Sequence, residues 1–242
     1  MSWIKPDWPL PVGVRAAVTL RSGGVSVGGY ASLNPASHVG DDPGAVAANR
    51  AIIRDMLALP AEPVWLQQVH GVAVVKADQV DGVPEADASF TDRGDTVCAV
   101  LTADCLPVLF CGDGGRVIAA AHAGWRGLRA GVVKQALAEM DCSDVTVWLG
   151  PAIGPAHFEV GDDVRDAFLA EDNGSAVAFA ECGTGKWLAD IYQLARRQLA
   201  ALGVGRVYGG DYCTYADAGR FYSYRRDGAA TGRMASLIWR ES

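Results

Sequence analysis

Four histidines (His38, His70, His122, His157) and six cysteines (Cys98, Cys105, Cys111, Cys142, Cys182, Cys213) are the side chains here best suited to hold a metal or act as a nucleophile. Three of them, Cys105, Cys111 and His122, fall in the stretch ADCLPVLFCGDGGRVIAAAHAGWRG, residues 103–127. Two apolar runs, Leu106 to Cys111 and Arg116 to Ala121, flank Gly112-Asp113-Gly114-Gly115. Asp-Gly between apolar runs is a strong local signal for a two-residue β-hairpin. With Asp113-Gly114 as the turn, Gly112 faces Gly115, Cys111 faces Arg116, and Cys105 stands opposite His122. Opposed residues hold their Cβ atoms about 4.5–5.5 Å apart, close enough to share a metal ion or a proton. Pro107 cannot donate to a ladder and belongs at an edge or a bulge.

His70 joins this pair on placement. Both His70 and His122 close predicted strands just before Gly-containing turns, where functional side chains collect. Two histidines and one thiolate with an open fourth position suit a catalytic zinc site. Thiolate and imidazole also suit copper, so ligand type alone does not name the metal. The spacing of 35 and then 17 residues matches no short zinc motif. A competing reading is a Cys–His nucleophilic pair, activated as thiolate and imidazolium, in which His70 orients or plays no part. The plainest reading buries Cys105 in the core and leaves both histidines incidental.

The elements that would position these groups follow from periodicity. Gly13 to Leu20 reads as a strand, followed by a Gly/Ser-rich irregular stretch. Asp42-Pro43 opens a helix, Asp at the cap and Pro in the first turn, whose apolar face Asn49 and Arg50 interrupt. Val64 to His70 and Val72 to Lys76 read as strands, as does the nearly continuous apolar run Thr96 to Ala103, which delivers Asp104 and Cys105. Helices are predicted over Gly127 to Met140, from a cap at Asp162/Asp163 to about Ala170, and over Leu188 to Leu202; strands over Val145 to Leu149 and Val204 to Tyr208. Phe221 to Tyr224 and Gly232 to Trp239 read as extended segments around a turn. Strands outnumber helices without alternating regularly with them, which points to α+β with mixed sheets.

The 242 residues are 50% hydrophobic and carry a net charge of −7, with no linker and no internal repeat, so residues 1–242 read as a single domain. No Lys/Arg cluster longer than a pair stands out, which argues against nucleic acid or an anionic membrane as partner. The N-terminal MSWIKPDWPLPVG lacks the long apolar core of a signal peptide, no run approaches the length of a membrane span, and the cysteines form no small disulfide framework. A cytoplasmic protein with free thiols is the expectation.

The motifs LQQVHG (66–71), TADCLPVLF (102–110), AHAGWRG (121–127) and GPAIGP (150–155) resemble the YfiH-like family, also described as the multicopper polyphenol oxidase (laccase) domain, with a mammalian relative called FAMIN. Further matches are HVGDD (38–42), NR (49–50), FEVGDDV (158–164), CT (213–214), and YSYRRDG with TGR within 222–233. Tyr224 stands where many relatives carry His.

The resemblance implies a layered α/β/β/α-like fold and one zinc held by His70, Cys105 and His122. It implies phosphorolysis of adenosine, inosine or methylthioadenosine, and deamination of adenosine. A monomer with no partner beyond its small-molecule substrates, a purine nucleoside and phosphate, is the expectation. The laccase label implies copper and phenol oxidation, but four histidines cannot build a multicopper cluster. For deamination, zinc would activate a water against C6 of adenine. For phosphorolysis, Arg50 and Arg126 would orient phosphate. Asp104 would act as acid/base beside Cys105 and His122, or hold a histidine, and Gln68 would hydrogen-bond the substrate. The alternative the family suggests is a Cys–His hydrolase correcting cell-wall (peptidoglycan) precursors. A binding-only protein is the third reading.

Overall fold

The structure, a computed structural model, describes residues 3–241. In chain order its elements are β1 (Trp3–Ile4), β2 (Val14–Thr19), α1 (Pro43–Leu57), β3 (Val74–Lys76), β4 (Ala88–Thr91), β5 (Val97–Thr102), β6 (Leu106–Gly112) and β7 (Val117–Ala123). There follow α2 (Trp125–Ala130), α3 (Val132–Met140), β8 (Val145–Leu149), β9 (Glu159–Gly161), α4 (Asp162–Leu169), β10 (Phe179–Gly183) and β11 (Lys186–Ala189). The last are α5 (Ile191–Ala201), β12 (Arg206–Gly209), α6 (Tyr224–Asp227) and β13 (Met234–Arg240).

Side-chain alternation along the strands sorts the core into three apolar layers. On β5, Cys98 and Val100 face one way while Val97, Ala99 and Leu101 face the other. On β6, Leu109 and Cys111 oppose Leu106, Val108 and Phe110 in the same manner. The middle layer lies between a four-stranded sheet, β1-β2-β13-β5, and a six-stranded sheet, β12-β8-β6-β7-β4-β3. Ile53 and Leu57 of α1 cover the outer face of the first sheet. Leu128, Val132, Phe168, Ile191 and Leu194, from α2 to α5, cover that of the second. Each large aliphatic side chain so buried contributes on the order of 2 kcal/mol. The result is α/β/β/α, an α+β fold with mixed sheets as expected, plus a small sheet β10-β11-β9 at its side.

The hairpin differs from its predicted register. Leu106 pairs with Ala123, Pro107 with His122 and Gly112 with Val117, so the turn holds four residues, Asp113 to Arg116. Asp113 is drawn outward: its N–H donates to Asp144 O at 2.7 Å, and its carboxylate accepts the N–H groups of Ser143 and Asp144. The register moves by two residues, which keeps every side chain on its expected face. Pro107 sits in an interior strand, at the point where neighbouring β8 has ended at Leu149, and its carbonyl accepts the Gly150 N–H at 2.9 Å.

Other boundaries moved for local reasons. Val64 to His70 makes only isolated bridges, Val64 to Cys98 and Gln67 to Glu85, and its backbone turns at His70 (φ 61°). The helix expected over 127–140 breaks into α2 and α3 at Gly131 (φ 96°). Gly161, not Asp162 or Asp163, caps α4, and Asp190 caps α5 by accepting the Gln193 N–H. The segment at Phe221 to Tyr224 joins no sheet and runs into the single turn of α6.

Candidate functional site

The chain crosses from one sheet to the other between β5 and β6, and the corner it makes carries Asp104 and Cys105. Asp104 holds a left-handed backbone (φ 90°) that only a tight crossing requires. Its Oδ1 accepts the Thr214 hydroxyl at 2.6 Å; its Oδ2 accepts the Ser223 hydroxyl at 3.0 Å and the Arg225 N–H at 2.6 Å. The corner is thereby tied to the C-terminal segment. Asp104 holds no histidine.

The histidine partner is Asp87, in the turn before β4. It is fully buried, and its Oδ1 accepts the Nδ1–H of His122 at 2.7 Å. The same carboxylate gathers the backbone N–H groups of Val69 (3.2 Å), His70 (3.0 Å) and Gly71 (2.6 Å). Three successive N–H groups converging on one anion form a backbone nest. One carboxylate therefore shapes the His70 turn and fixes the His122 ring. Burial raises the Asp87 carboxyl, but the hydrogen bonds from His122, Gly71 and Val69 outweigh it and hold it below the usual range.

With Nδ1 of His122 given to Asp87, its Nε2 is free for a ligand. His70, Cys105 and His122 offer donor atoms all within 4.8 Å of one another. Cys105 Sγ lies 3.7 Å from His70 Nε2, and the two imidazole rings meet edge to face with centroids 4.7 Å apart. Zinc–nitrogen and zinc–sulfur lengths at a tetrahedral angle put the donors about 3.6 Å apart, so the spacing fits one shared ion. Gly124 makes the approach possible: a Cβ there would stand 2.9 Å from both Cys105 Sγ and His70 Cδ2. Without a metal, Cys105 and His122 form an ion pair. Burial raises the Cys105 thiol, but His122 and His70 overcome it and bring it down to about 6. Burial lowers His122, but Cys105 and Asp87 take it up to about 9.

The expected substrate contacts fare differently. Gln68 donates to Leu101 O at 2.8 Å and accepts the Leu101 N–H at 2.7 Å, so its amide replaces a ladder pair instead of facing a ligand. Arg126 is exposed, its guanidinium 4.5 Å over the neighbouring Trp125 ring. Arg50 is half-buried, donating Nε–H to Pro35 O at 2.9 Å and lying over Trp65. Two residues beyond the expected set stand near the centre: Arg233, within charge range of Cys105 and Asp104, and His38, within range of Arg233, Arg50 and His122. Asp87, His38 and Arg233 all sit in irregular segments without periodicity. The acid of PEAD, immediately before the short strand ASFT and 35 residues ahead of His122, is the one available signal. Cys98 and Cys111 lie in the core between the sheets; Cys213 pairs with His157 at 3.5 Å, one residue from Thr214.

Two imidazoles and a thiolate at the corner of a four-layer α+β sandwich define a candidate mononuclear metal centre, of the soft-donor kind that zinc and copper favour. The chain belongs to the multi-copper polyphenol oxidoreductase laccase family, whose model matches residues 15–241. A Pseudomonas aeruginosa relative named as a purine nucleoside phosphorylase is 52% identical over 241 residues, 98% of each chain. The purine nucleoside phosphorylase YfiH of Escherichia coli is 52% identical over 242 residues, again 98% of each. Among solved structures, a Neisseria meningitidis protein matches at TM-score 0.96 and 51% identity over all of both chains. YlmD from Geobacillus stearothermophilus matches at TM-score 0.93 and 33% identity, over 100% of this chain and 97% of that one. The resemblance to YfiH-like proteins holds across the whole chain.

Proposed function

We propose that this chain is a zinc-dependent purine nucleoside phosphorylase acting on adenosine, inosine and methylthioadenosine, and that it also deaminates adenosine. The observation that carries it is the convergence of His70, Cys105 and His122, in a chain whose full-length relatives are named as purine nucleoside phosphorylases. Bound zinc would supply a Lewis acid and the means to activate water near neutral pH. The chain's own residues do the rest. Asp87 holds the Nδ1 proton of His122 and so keeps Nε2 available as a donor. In phosphorolysis a phosphate oxygen bonds to C1′ of the ribose. The C1′–N9 bond breaks with its electron pair going to the purine, which takes a proton from solvent. Arg50 orients that phosphate, since its Nη1 and Nη2 make no hydrogen bond among the described residues. Arg126 would reach a substrate only by leaving the Trp125 ring. Asp104 acts by holding the corner in place. The enzyme would work in the cytoplasm, as a monomer, where its thiols stay reduced.

Copper-based phenol oxidation fits less well. His70, Cys105 and His122 are the one cluster of three or more His, Cys, Asp or Glu placed to share a metal among the described residues, and neither His38 nor His157 belongs to it. The Cys105 thiol near 6 favours a second reading, a metal-free Cys–His hydrolase of peptidoglycan precursors. Chromatography of adenosine incubated with zinc-loaded protein, with and without phosphate, separates these. Free purine and ribose 1-phosphate formed only with phosphate support phosphorolysis, and inosine formed regardless supports deamination. Unchanged adenosine sinks the nucleoside reading. Activity on a cell-wall precursor that survives a chelator would establish the hydrolase.

A further inference from the structure

Arg50 and Arg233 are half-buried, and neither joins an ion pair among the described residues. They are fastened to the two sides of one turn. Arg50 donates Nε–H to Pro35 O at 2.9 Å, and the Arg233 N–H donates to Asn34 Oδ1 at 3.0 Å. Asn49, beside Arg50, locks the same turn by donating to Asn34 O at 2.9 Å. The turn leads directly to His38. Arg233 spends Nη1 on Thr231 O and Gly232 O, while its Nε and Nη2 have no hydrogen-bond partner among the described residues. Asp104, the acid in its range, has both oxygens engaged by Thr214, Ser223 and Arg225. Burial and the charges of Arg233, Arg50 and His122 lower the His38 pKa, as expected where positive charge is not compensated. Glu62 lies within charge range of Arg50 but forms no ion pair with it, and its Oε1 accepts the Trp65 indole N–H at 2.7 Å. Two half-buried guanidinium groups with no acid in ion-pair contact are costly unless an anion arrives, and free forks of N–H donors match a phosphate.

We infer that Arg233, Arg50 and His38 form the seat of inorganic phosphate, the co-substrate, beside the His70–Cys105–His122 centre. This rests on the phosphorolytic reading, and it assigns Arg233 and His38 to substrate, which that reading did not.

The test measures phosphate binding calorimetrically, and the KM for phosphate, in zinc-loaded wild type and in Arg233→Gln, Arg233→Lys and Arg50→Gln. Arg54→Gln, one turn along α1 and exposed, is the control. Removing one charged donor pair is expected to weaken phosphate about 10–100-fold and to raise its KM alike, with nucleoside KM and zinc content unchanged. Lysine at 233 should recover part of the loss, because it keeps the charge and loses the fork. Unaltered phosphate affinity in folded, zinc-loaded Arg233→Gln and Arg50→Gln overturns the seat and leaves phosphorolysis standing. Arg233-dependent phosphate binding without phosphorolysis of any nucleoside keeps the seat and removes the phosphorylase reading. Arg233-dependent binding of AMP but not of inorganic phosphate would show a nucleotide subsite and overturn the co-substrate assignment.

Discussion

The Nδ1–H of His122 is donated to Asp87 Oδ1 at 2.7 Å, and that carboxylate also holds the N–H of His70 at 3.0 Å. One buried acid thus aims two of the three candidate ligands, which come from separate segments. Replacing it with Asn keeps the size but removes the charge that fixes the ring. Asp87→Asn should lower zinc affinity about 10–100-fold, as loss of an outer partner to a ligating histidine does elsewhere. Competition with a chromophoric chelator reads this directly. Wild-type affinity in the variant would mean that the rings are held by packing alone.

The metal-free protein should contain an unusually reactive thiol. Cys105 is lowered from 9.0 to about 6, so its thiolate exists above about 6 and is lost as pH falls through that value. His122 is raised from 6.5 to about 9, so its positive charge is lost as pH rises through 9. Taken singly, the depressed thiol would stabilise above its unfolded 9 and lose this as pH falls through 6. The raised imidazolium would stabilise below its unfolded 6.5 and lose this as pH rises through 9. Because each shift is caused by the other group's charge, the joint contribution lasts only while both are charged. Both partners are charged only between about 6 and 9, and stability of the metal-free form should peak in that window. Alkylation of Cys105 should show a midpoint near 6 in chelator-treated protein, moving toward 9 in His122→Gln. Zinc should block it.

Local signals predicted most of the frame. Asp42 and Pro43 start α1 as expected, with the Asp42 carboxylate accepting the Ala45 N–H at 2.8 Å. The unbroken apolar run before Ala103 is β5, buried on both faces. The hairpin kept Cys105 near His122 although its turn is two residues longer, because a shift of two preserves the face. What escaped was non-local. β13 pairs with β2 and β5 across most of the chain length, and no local pattern encodes that. Asp87, Arg233 and His38 lie in irregular segments, where a charged residue at a site looks like any solvated one. Gln68 misled for the same reason, since its partner Leu101 is 33 residues away.

Gly124 offers a test of how tight the centre is. Its backbone (φ −59°) suits any residue, so alanine brings no conformational strain. The added methyl, however, would lie 2.9 Å from both Cys105 Sγ and His70 Cδ2. Gly124→Ala should fold with nearly unchanged Tm and lose most of its zinc, measured by metal analysis after dialysis. A variant that loads zinc fully would show that the three ligands have room to spare.

Asp104 distinguishes a structural corner from a proton carrier. Its carboxylate accepts three hydrogen bonds, one from the buried Thr214 hydroxyl, and its backbone is left-handed. Asp104→Ala leaves those donors unmatched and puts a Cβ-bearing residue without a polar side chain at φ 90°. Together these should cost about 2–4 kcal/mol of stability. Asp104→Asn keeps one acceptor and a residue tolerant of positive φ, and should lose about half as much. If the corner is structural, urea denaturation will rank wild type above Asn above Ala, and kcat per bound zinc will fall less than about tenfold in Asn. A proton carrier would reverse the pattern. The Asn variant would then be nearly as stable as wild type, with kcat down about 100-fold or more and one limb of its pH profile missing.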